Sequence, residues 1–320
     1  MKTSVALCTY NGEKFLRQQI DSILNQTRRV DEIVVCDDGS ADSTVSILNA
    51  YQDQYPGLFR IYINEKNLRS VKNFEKAISL CQNEIIFLCD QDDVWTENKV
   101  QIIMQFFVNH PNIFVVATNG YGIDDANNSL DVYSLWDIPK FFVEYKIPVD
   151  YFKIIAFAGN IATGASMALR KDFFEEIKPF PILDGFHHDE WIALNAASNN
   201  KFDFLQEKLF KYRIHSDQQV GDVFLDRNKK NKKLLVQLFD FSVSDKKFTS
   251  FKYILKRISK SYKKNKRLAR FTGYGDIVAK IDQDLLVLYL AHQREMKKLY
   301  PIRHLFLQLF DTILNKRKLN

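Results

Sequence analysis

Residues 87–95 read FLCDQDDVW. The apolar run IIFLC at 85–89 ends directly in Asp90, Gln91, Asp92 and Asp93. A short, wholly apolar run closed by polar residues is the pattern of a strand buried on both faces. Three carboxylates within four residues repel one another unless something positive holds them. Any one of the three is placed to cap a helix beginning near Thr96, and Asp93 suits that role. Three exceed what a cap needs. Asp90 and Asp92 are spaced so that both reach one hard cation, Mg²⁺ or Mn²⁺, and a diphosphate on that cation would complete its oxygen shell.

Working outward, the alternation around this stretch defines a fold class. Residues 4–8, 32–36, 59–63, 85–89 and 113–117 read as strands, and 12–25, 41–51, 71–81 and 97–108 carry helical spacing. Ser40 or Asp42 is placed to cap the second helix. This order predicts an α/β fold with a doubly wound, mainly parallel sheet. Ligands of such sheets bind outside the carboxyl ends of the strands. Thr9-Tyr10-Asn11, Asp37-Asp38-Gly39-Ser40 and the Asp90 cluster all fall at those ends, so they are expected to line one crevice. DDGS is also good turn chemistry. A carboxylate there can equally accept hydrogen bonds from ribose hydroxyls or a base imide. Neither a GxGxxG nor a Walker A sequence occurs, which disfavours a dehydrogenase or a P-loop ATPase. Further along, 161–169 reads as a strand, 187–197 as a helix, and 202–205 and 208–214 as two short strands. Lys-rich helical segments follow at 223–240, 246–270, 276–300 and 302–316.

The net charge of +6 conceals an asymmetry. Residues 222–320 hold 24 Lys and Arg against 9 Asp and Glu, +15, whereas residues 1–221 hold 21 against 30, −9. A basic tail suits an anionic lipid surface, a polyanion or an acidic partner. Nucleic acid is not expected, because no known reading module is present and the remainder is acidic. Cys8, Cys36, Cys81 and Cys89 form no CxxC pair and read as buried reduced thiols, as in a cytoplasmic protein. The first apolar run is too short for a signal peptide, and no run approaches the ~20 apolar residues that span a bilayer. Any membrane contact is therefore expected to be peripheral, on the inner face of the cytoplasmic membrane.

Six segments taken together carry a resemblance: LCTYNGEKFLRQQIDSILNQT, DEIVVCDDGSADST, NEIIFLCDQDDVWTENK, TGASMALRK, HHDEW and YRIHSDQQVG. The set resembles family 2 glycosyltransferases of the GT-A fold, in the branch often labelled rhamnosyltransferases. The resemblance covers residues 1–221 and not the basic tail. It implies a catalytic domain over 1–221, with a nucleotide-binding half at 1–120 and an acceptor-binding half at 121–221. The helical region 222–320 is then left for membrane-surface or homo-oligomer contact.

The resemblance also implies roles. Thr9, Tyr10, Asn11 and Glu13 would line the nucleotide pocket, and Asp37, Asp38 and Gly39 would meet the nucleoside. Asp90-Gln91-Asp92 would be the DxD element, with Asp92 the direct metal ligand and Asp90 towards the ribose or sugar. His215 would approach the metal or diphosphate. Asp189 would be the general base, with Glu190 its rival, and Trp191 and His188 would shape the acceptor site.

The chemistry suits these residue types. Displacing a nucleoside diphosphate from an anomeric carbon builds charge that a divalent cation stabilises. A carboxylate must take the proton of the attacking hydroxyl. In-line attack inverts the anomeric centre. The expected function is thus an inverting, metal-dependent glycosyltransferase using a dTDP-rhamnose type donor or a UDP-hexose. Its acceptor would be a hydroxyl of a cell-surface or capsular polysaccharide or a lipid-linked oligosaccharide. Two alternatives stay open. One is a nucleotidyltransferase, for which TYNGEK is a poor triphosphate loop. The other is a non-catalytic sugar-nucleotide-binding subunit of a membrane complex.

The tail poses its own question. Ile302, Leu305, Phe306, Leu309, Phe310, Ile313 and Leu314 fall near one helical face. That face is expected either to pack on protein or to lie on a membrane surface.

Overall fold

The computed structural model describes residues 1–215, 224–270, 275–314 and 316–319. Residues 216–221, the end of YRIHSDQQVG and the boundary expected there, lie outside the described residues. The chain divides into two compact units, Met1–Tyr151 with Asn160–Leu235, and Phe152–Gly159 with Val236–Asn320.

The first unit opens with β1 (Thr3–Thr9), α1 (Leu16–Leu24), β2 (Glu32–Asp37), α2 (Thr44–Gln54), β3 (Phe59–Ile63), α3 (Arg69–Leu80) and β4 (Ile85–Cys89). It continues through β5 (Val94–Trp95), α4 (Lys99–Asn109), β6 (Val115–Ile123), β7 (Val132–Tyr133) and α5 (Ile138–Glu144). A short helix, α6 (Tyr151–Lys153), leads into a π-turn at Ile154–Ala158 that belongs to the second unit. The first unit resumes with β8 (Met167–Arg170), α7 (Lys171–Ile177), α8 (His188–Ser198), β9 (Phe202–Arg213) and β10 (Leu225–Asp226).

Eight strands form one sheet in the order β3-β2-β1-β4-β8-β6-β9-β5. Strand β1 runs parallel to both β2 and β4, and β2 runs parallel to β3. These inner strands are buried along their whole length, which is why their sequences are unbroken apolar runs rather than alternating ones. Strand β8 is antiparallel to both of its neighbours, β4 and β6. The sheet is therefore mainly parallel, with β8 reversed in its middle and the two-residue β5, antiparallel to β9, reversed at its edge. Trp95 and Trp136 are buried and serve the core.

Three local expectations are corrected. The strand expected over 161–169 is confined to Met167–Arg170, because Gly164–Ser166 is a 3₁₀ turn. The two strands expected at 202–205 and 208–214 are one, β9, which pairs with β6 along its length and absorbs extra residues in bulges. Helix α2 starts behind Ser43, whose side chain caps nothing. Ser40 donates to Asp37 instead, while Asp42 accepts the N–H of Thr44.

The second unit contains the end of α9 (Lys229–Phe239), then α10 (Phe248–Lys266), α11 (Gly275–Leu299) and α12 (Pro301–Ile313). Phe251, Leu255, Met296 and Leu307 form its apolar centre. Asn265 Nδ2 donates to the carbonyl of Ala156 at 2.8 Å and so ties the π-turn to α10. Arg257 donates to the carbonyls of Gln237 and Asp240 at 2.9 and 2.8 Å, filling acceptors left at the end of α9. No helix among the described residues is long and apolar enough to cross a membrane.

Candidate active site

The loops after β1 and β2 are fastened together before any ligand is considered. Asn11 stands in the left-handed region at φ 48°, and its N–H donates to Ser40 Oγ at 2.9 Å. Its side-chain oxygen accepts the N–H of Ala41 at 2.8 Å. Glu13 accepts the N–H of Ser43 at 2.9 Å, at the N-terminus of α2, where a carboxylate is favoured. Asp37 is fully buried, and both its oxygens are used, by Thr9 Oγ1, Ser40 Oγ and the N–H groups of Gly39 and Ser40. Asp38 accepts from Asn64, from the N–H of Leu68 and from the N–H of Arg69. The last of these holds Arg69 at φ 62°, a conformation costly for a long side chain and kept here by the carboxylate.

The loop after β4 joins this frame through Gln91. Its side-chain amide exchanges two hydrogen bonds with the backbone of Tyr10, at 2.8 and 3.0 Å. A Cβ on Gly12 would stand 2.3 Å from Gln91 Oε1, so the pairing needs a glycine there.

Together these loops wall a crevice of about 470 Å³. Among the residues expected at the site, Thr9, Tyr10, Asn11, Asp38, Asp90, Gln91, Asp92, His188, Asp189 and His215 line it. Glu13, Asp37, Gly39, Glu190 and Trp191 stand outside its wall. Trp191 is buried and donates its indole N–H to the carbonyl of Ile177 at 3.0 Å, a core position rather than an acceptor surface. Glu190, one residue after Asp189, is likewise buried.

Asp189 enters the crevice at the first turn of α8. Its Oδ2 accepts the N–H of Gly164 at 3.1 Å, and its Oδ1 accepts the N–H of Glu190 at 2.6 Å. Burial pushes its carboxyl up to about 6, although those two N–H groups oppose the shift. Asp90 faces the same glycine from β4. Its carboxyl is pushed up to about 8 by burial, and by the charges of Asp92 and Asp189. His188 stacks flat on Phe74 at 3.9 Å, and neither ring nitrogen has a hydrogen-bond partner among the described residues. Burial holds its imidazole neutral, down to about 3.

Gly164 is the hinge of this arrangement. A Cβ there would lie 2.9 Å from His188 Nε2 and 3.4 Å from Asp90 Oδ2. The imidazole is buried and stacked on Phe74, which leaves it little room to shift. Gly164→Ala is therefore expected to displace the loop that holds Asp189 and to lower turnover by roughly 10-fold to 100-fold. Steady-state kinetics on a variant of unchanged melting temperature would measure this; an unaltered kcat would sink the idea.

The acid cluster is divided among three partners. Asp92 Oδ2 lies 3.0 Å from His215 Nε2. Asp93 does not cap α4: its Oδ1 accepts the N–H of Arg213 at 3.1 Å, and burial pushes its carboxyl far up. Helix α4 starts only at Lys99, with Asn98 ahead of it. Two cations missed by sequence reasoning face the cluster. Lys99 is fully buried, donates to the carbonyl of Ala165 at 2.6 Å and is pulled down to about 8 by burial. Arg213, also fully buried, lies over the Phe15 ring at 4.4 Å and donates to the carbonyl of Asp92 at 2.8 Å. The positive charge that the cluster demands is therefore partly built into the protein.

Of the expected metal ligands, Asp92 and His215 stand 3.0 Å apart and could hold a divalent cation. No group of three or more His, Cys, Asp or Glu in metal-holding geometry occurs among the described residues. An oxygen and a nitrogen ligand on a crevice wall would nevertheless suit a cation that takes its remaining ligands from a diphosphate and water.

Residues 4–178 match the family model for glycosyl transferase family 2. An uncharacterized glycosyltransferase of Nostoc sp. is 29% identical over 219 residues, 67% of this chain and 65% of the relative. The chain thus spans less than two thirds of that relative's length. The dTDP-rhamnosyl transferase RfbG of Shigella flexneri is 26% identical over 227 residues, 67% of this chain and 73% of the relative. The mannosyltransferase PcManGT of Pyrobaculum calidifontis, solved with GDP-Man and Mn²⁺, superposes with a TM-score of 0.51 at 14% identity, covering 98% of this chain and 80% of that one. This likeness, with the strand order, shows the GT-A type of fold. With more than half its length matched by the family model, the chain belongs to glycosyl transferase family 2.

Proposed function

We propose that the protein is an inverting, metal-dependent glycosyltransferase that moves a sugar from a nucleotide-diphosphate donor to a hydroxyl of a glycan or lipid-linked acceptor. The observation that carries this reading is the meeting of Asp90 and Asp189 at Gly164, in a crevice walled on its other side by the loops after β1 and β2. One carboxylate close to neutral titration beside a second, more protonated one is the pattern of a site that moves a proton.

In this reading Asp189 takes the proton of the acceptor hydroxyl as that oxygen attacks the anomeric carbon. Its hydrogen bond from Gly164 N–H fixes the direction of the accepting oxygen. Asp92 and His215 would hold a divalent cation, Mn²⁺ or Mg²⁺, which supplies Lewis-acid stabilisation of the departing diphosphate when bound. Asp90, on the crevice wall beside Gly164, is placed to hydrogen-bond the donor sugar or ribose. Asn11 is held by the loop after β2 and Asp38 by the loop after β3, so the nucleoside side of the crevice is set before the donor arrives. Arg69 adds a positive group to the same wall. The likeness to a dTDP-rhamnosyl transferase supports a dTDP-sugar donor, with UDP- and GDP-sugars as the alternatives.

Hydrolysis of UDP-, GDP- and dTDP-sugars with Mn²⁺ or Mg²⁺, without acceptor, tests the reading and names the donor. Asp92→Ala is expected to reduce metal-stimulated hydrolysis by about 100-fold or more. No hydrolysis of any donor by the parent protein, or full activity in Asp92→Ala, would overturn the assignment.

A further inference from the structure

Helix α12 is built with its faces reversed. The side chains turned inward are His304, Leu307 and Asp311, each at most 7% exposed. Those turned outward are Ile302, Leu305, Phe306, Leu309, Phe310, Ile313 and Leu314, between 51% and 78% exposed. A helix of a globular protein normally does the opposite. The inward polar groups are nevertheless satisfied. His304 Nε2 lies 2.5 Å from Gln293 Oε1, and Asp311 accepts from Arg317 Nε at 2.9 Å. Rotating the helix to hide its apolar face would break the His304–Gln293 contact that joins α12 to α11 and would expose Leu307. The outward face is therefore a fixed part of the fold, and its size marks an interaction surface.

Charge decides what covers it. From 294 to 318 the chain carries Arg294, Lys297, Lys298, Arg303, Lys316, Arg317 and Lys318 against Glu295 and Asp311 alone, a net +5. Both acids are already engaged, Glu295 with Lys246 at 3.5 Å and Asp311 with Arg317. A second copy would bring the same positive excess to the same place. An anionic bilayer offers an apolar interior and a negative headgroup layer at once. We propose that α12 lies in the interface of an anionic membrane, with Phe306 and Phe310 entering the acyl boundary and the flanking lysines and arginines among the headgroups.

Co-sedimentation of the full chain with vesicles tests this. Binding is expected to vesicles of phosphatidylcholine doped with phosphatidylglycerol, to weaken as salt is raised, and to be far weaker with phosphatidylcholine alone. Phe306→Ser with Phe310→Ser alters only exposed side chains. It is expected to lower partitioning at least ~10-fold with the melting temperature unchanged. Equal binding of parent and double variant would overturn the proposal. So would a purified dimer that the double variant splits into monomers without any change in vesicle binding, since a second copy would then occupy the face.

Discussion

Asp189→Asn is expected to leave donor binding nearly intact and to lower sugar transfer by roughly 10³-fold, within the ~10²–10⁴ range of general-base catalysis. The substitution preserves shape, so the amide oxygen can still accept the N–H of Gly164 or of Glu190. What it removes is the capacity to take a proton. The pH dependence follows from the same group. Burial raises the Asp189 carboxyl to about 6. A base works only when deprotonated, so kcat/KM of the parent should be flat above that value. Below it, kcat/KM should fall about tenfold per pH unit. Transfer measured across pH 4.5–8, with donor affinity followed separately, checks both statements. If Asp189→Asn keeps its transfer rate while Glu190→Gln loses it, the base is Glu190.

Arg213→Met is expected to cost about 3–5 kcal/mol of stability, because a buried, multiply bonded charge is removed from one side of its pairing only. The guanidinium donates to the carbonyls of Asp92 and Asp124 and to Gln18 Oε1, at 2.8, 3.0 and 2.7 Å. Methionine would leave these part-buried acceptors without their donor. It would also remove the positive charge that faces Asp92 and Asp93. Arg213→Lys should rescue little, since a point charge on a thin stem cannot reach three acceptors or cover the Phe15 ring. Thermal melting reads the effect as a fall of roughly 10 °C. A fall of under about 2 °C would show that the guanidinium contributes little to the fold.

How much of this was legible in sequence depended on whether a residue's neighbours are close along the chain. Strands β1, β2 and β4 were plain because burial on both faces demands unbroken apolar runs. Strand β9 was split because its bulge residues beside Gln206 break the pattern while backbone pairing with β6 continues. The carboxylates of Asp90, Asp92 and Asp189 stood out because acids at strand and helix ends are few. Asp37 and Glu13 looked equally suited to a nucleotide, yet Asp37 turns back on the N–H groups of Gly39 and Ser40 in its own loop, and Glu13 takes the N–H of Ser43 from the next one. A sequence cannot say which donors will be nearest. Lys99 and Arg213 were missed for a different reason. Basic residues are usually exposed, and Arg213 meets Asp93 from 120 positions away.

The reversed strand β8 has a consequence for the order in which the molecule assembles. Strands β1 to β4 are joined by local helical crossovers and can pair as each is made. Strand β8 must instead slide between two strands from distant parts of the chain, joining Ile85 to Arg170 and Val115 to Leu169. Closing such long loops is slow, so this insertion is expected to come late. Gly164 arrives with β8, and only then do Asp90 and Asp189 meet. The electrostatic burden of the crevice is thus imposed last, on a scaffold already firm enough to bear it.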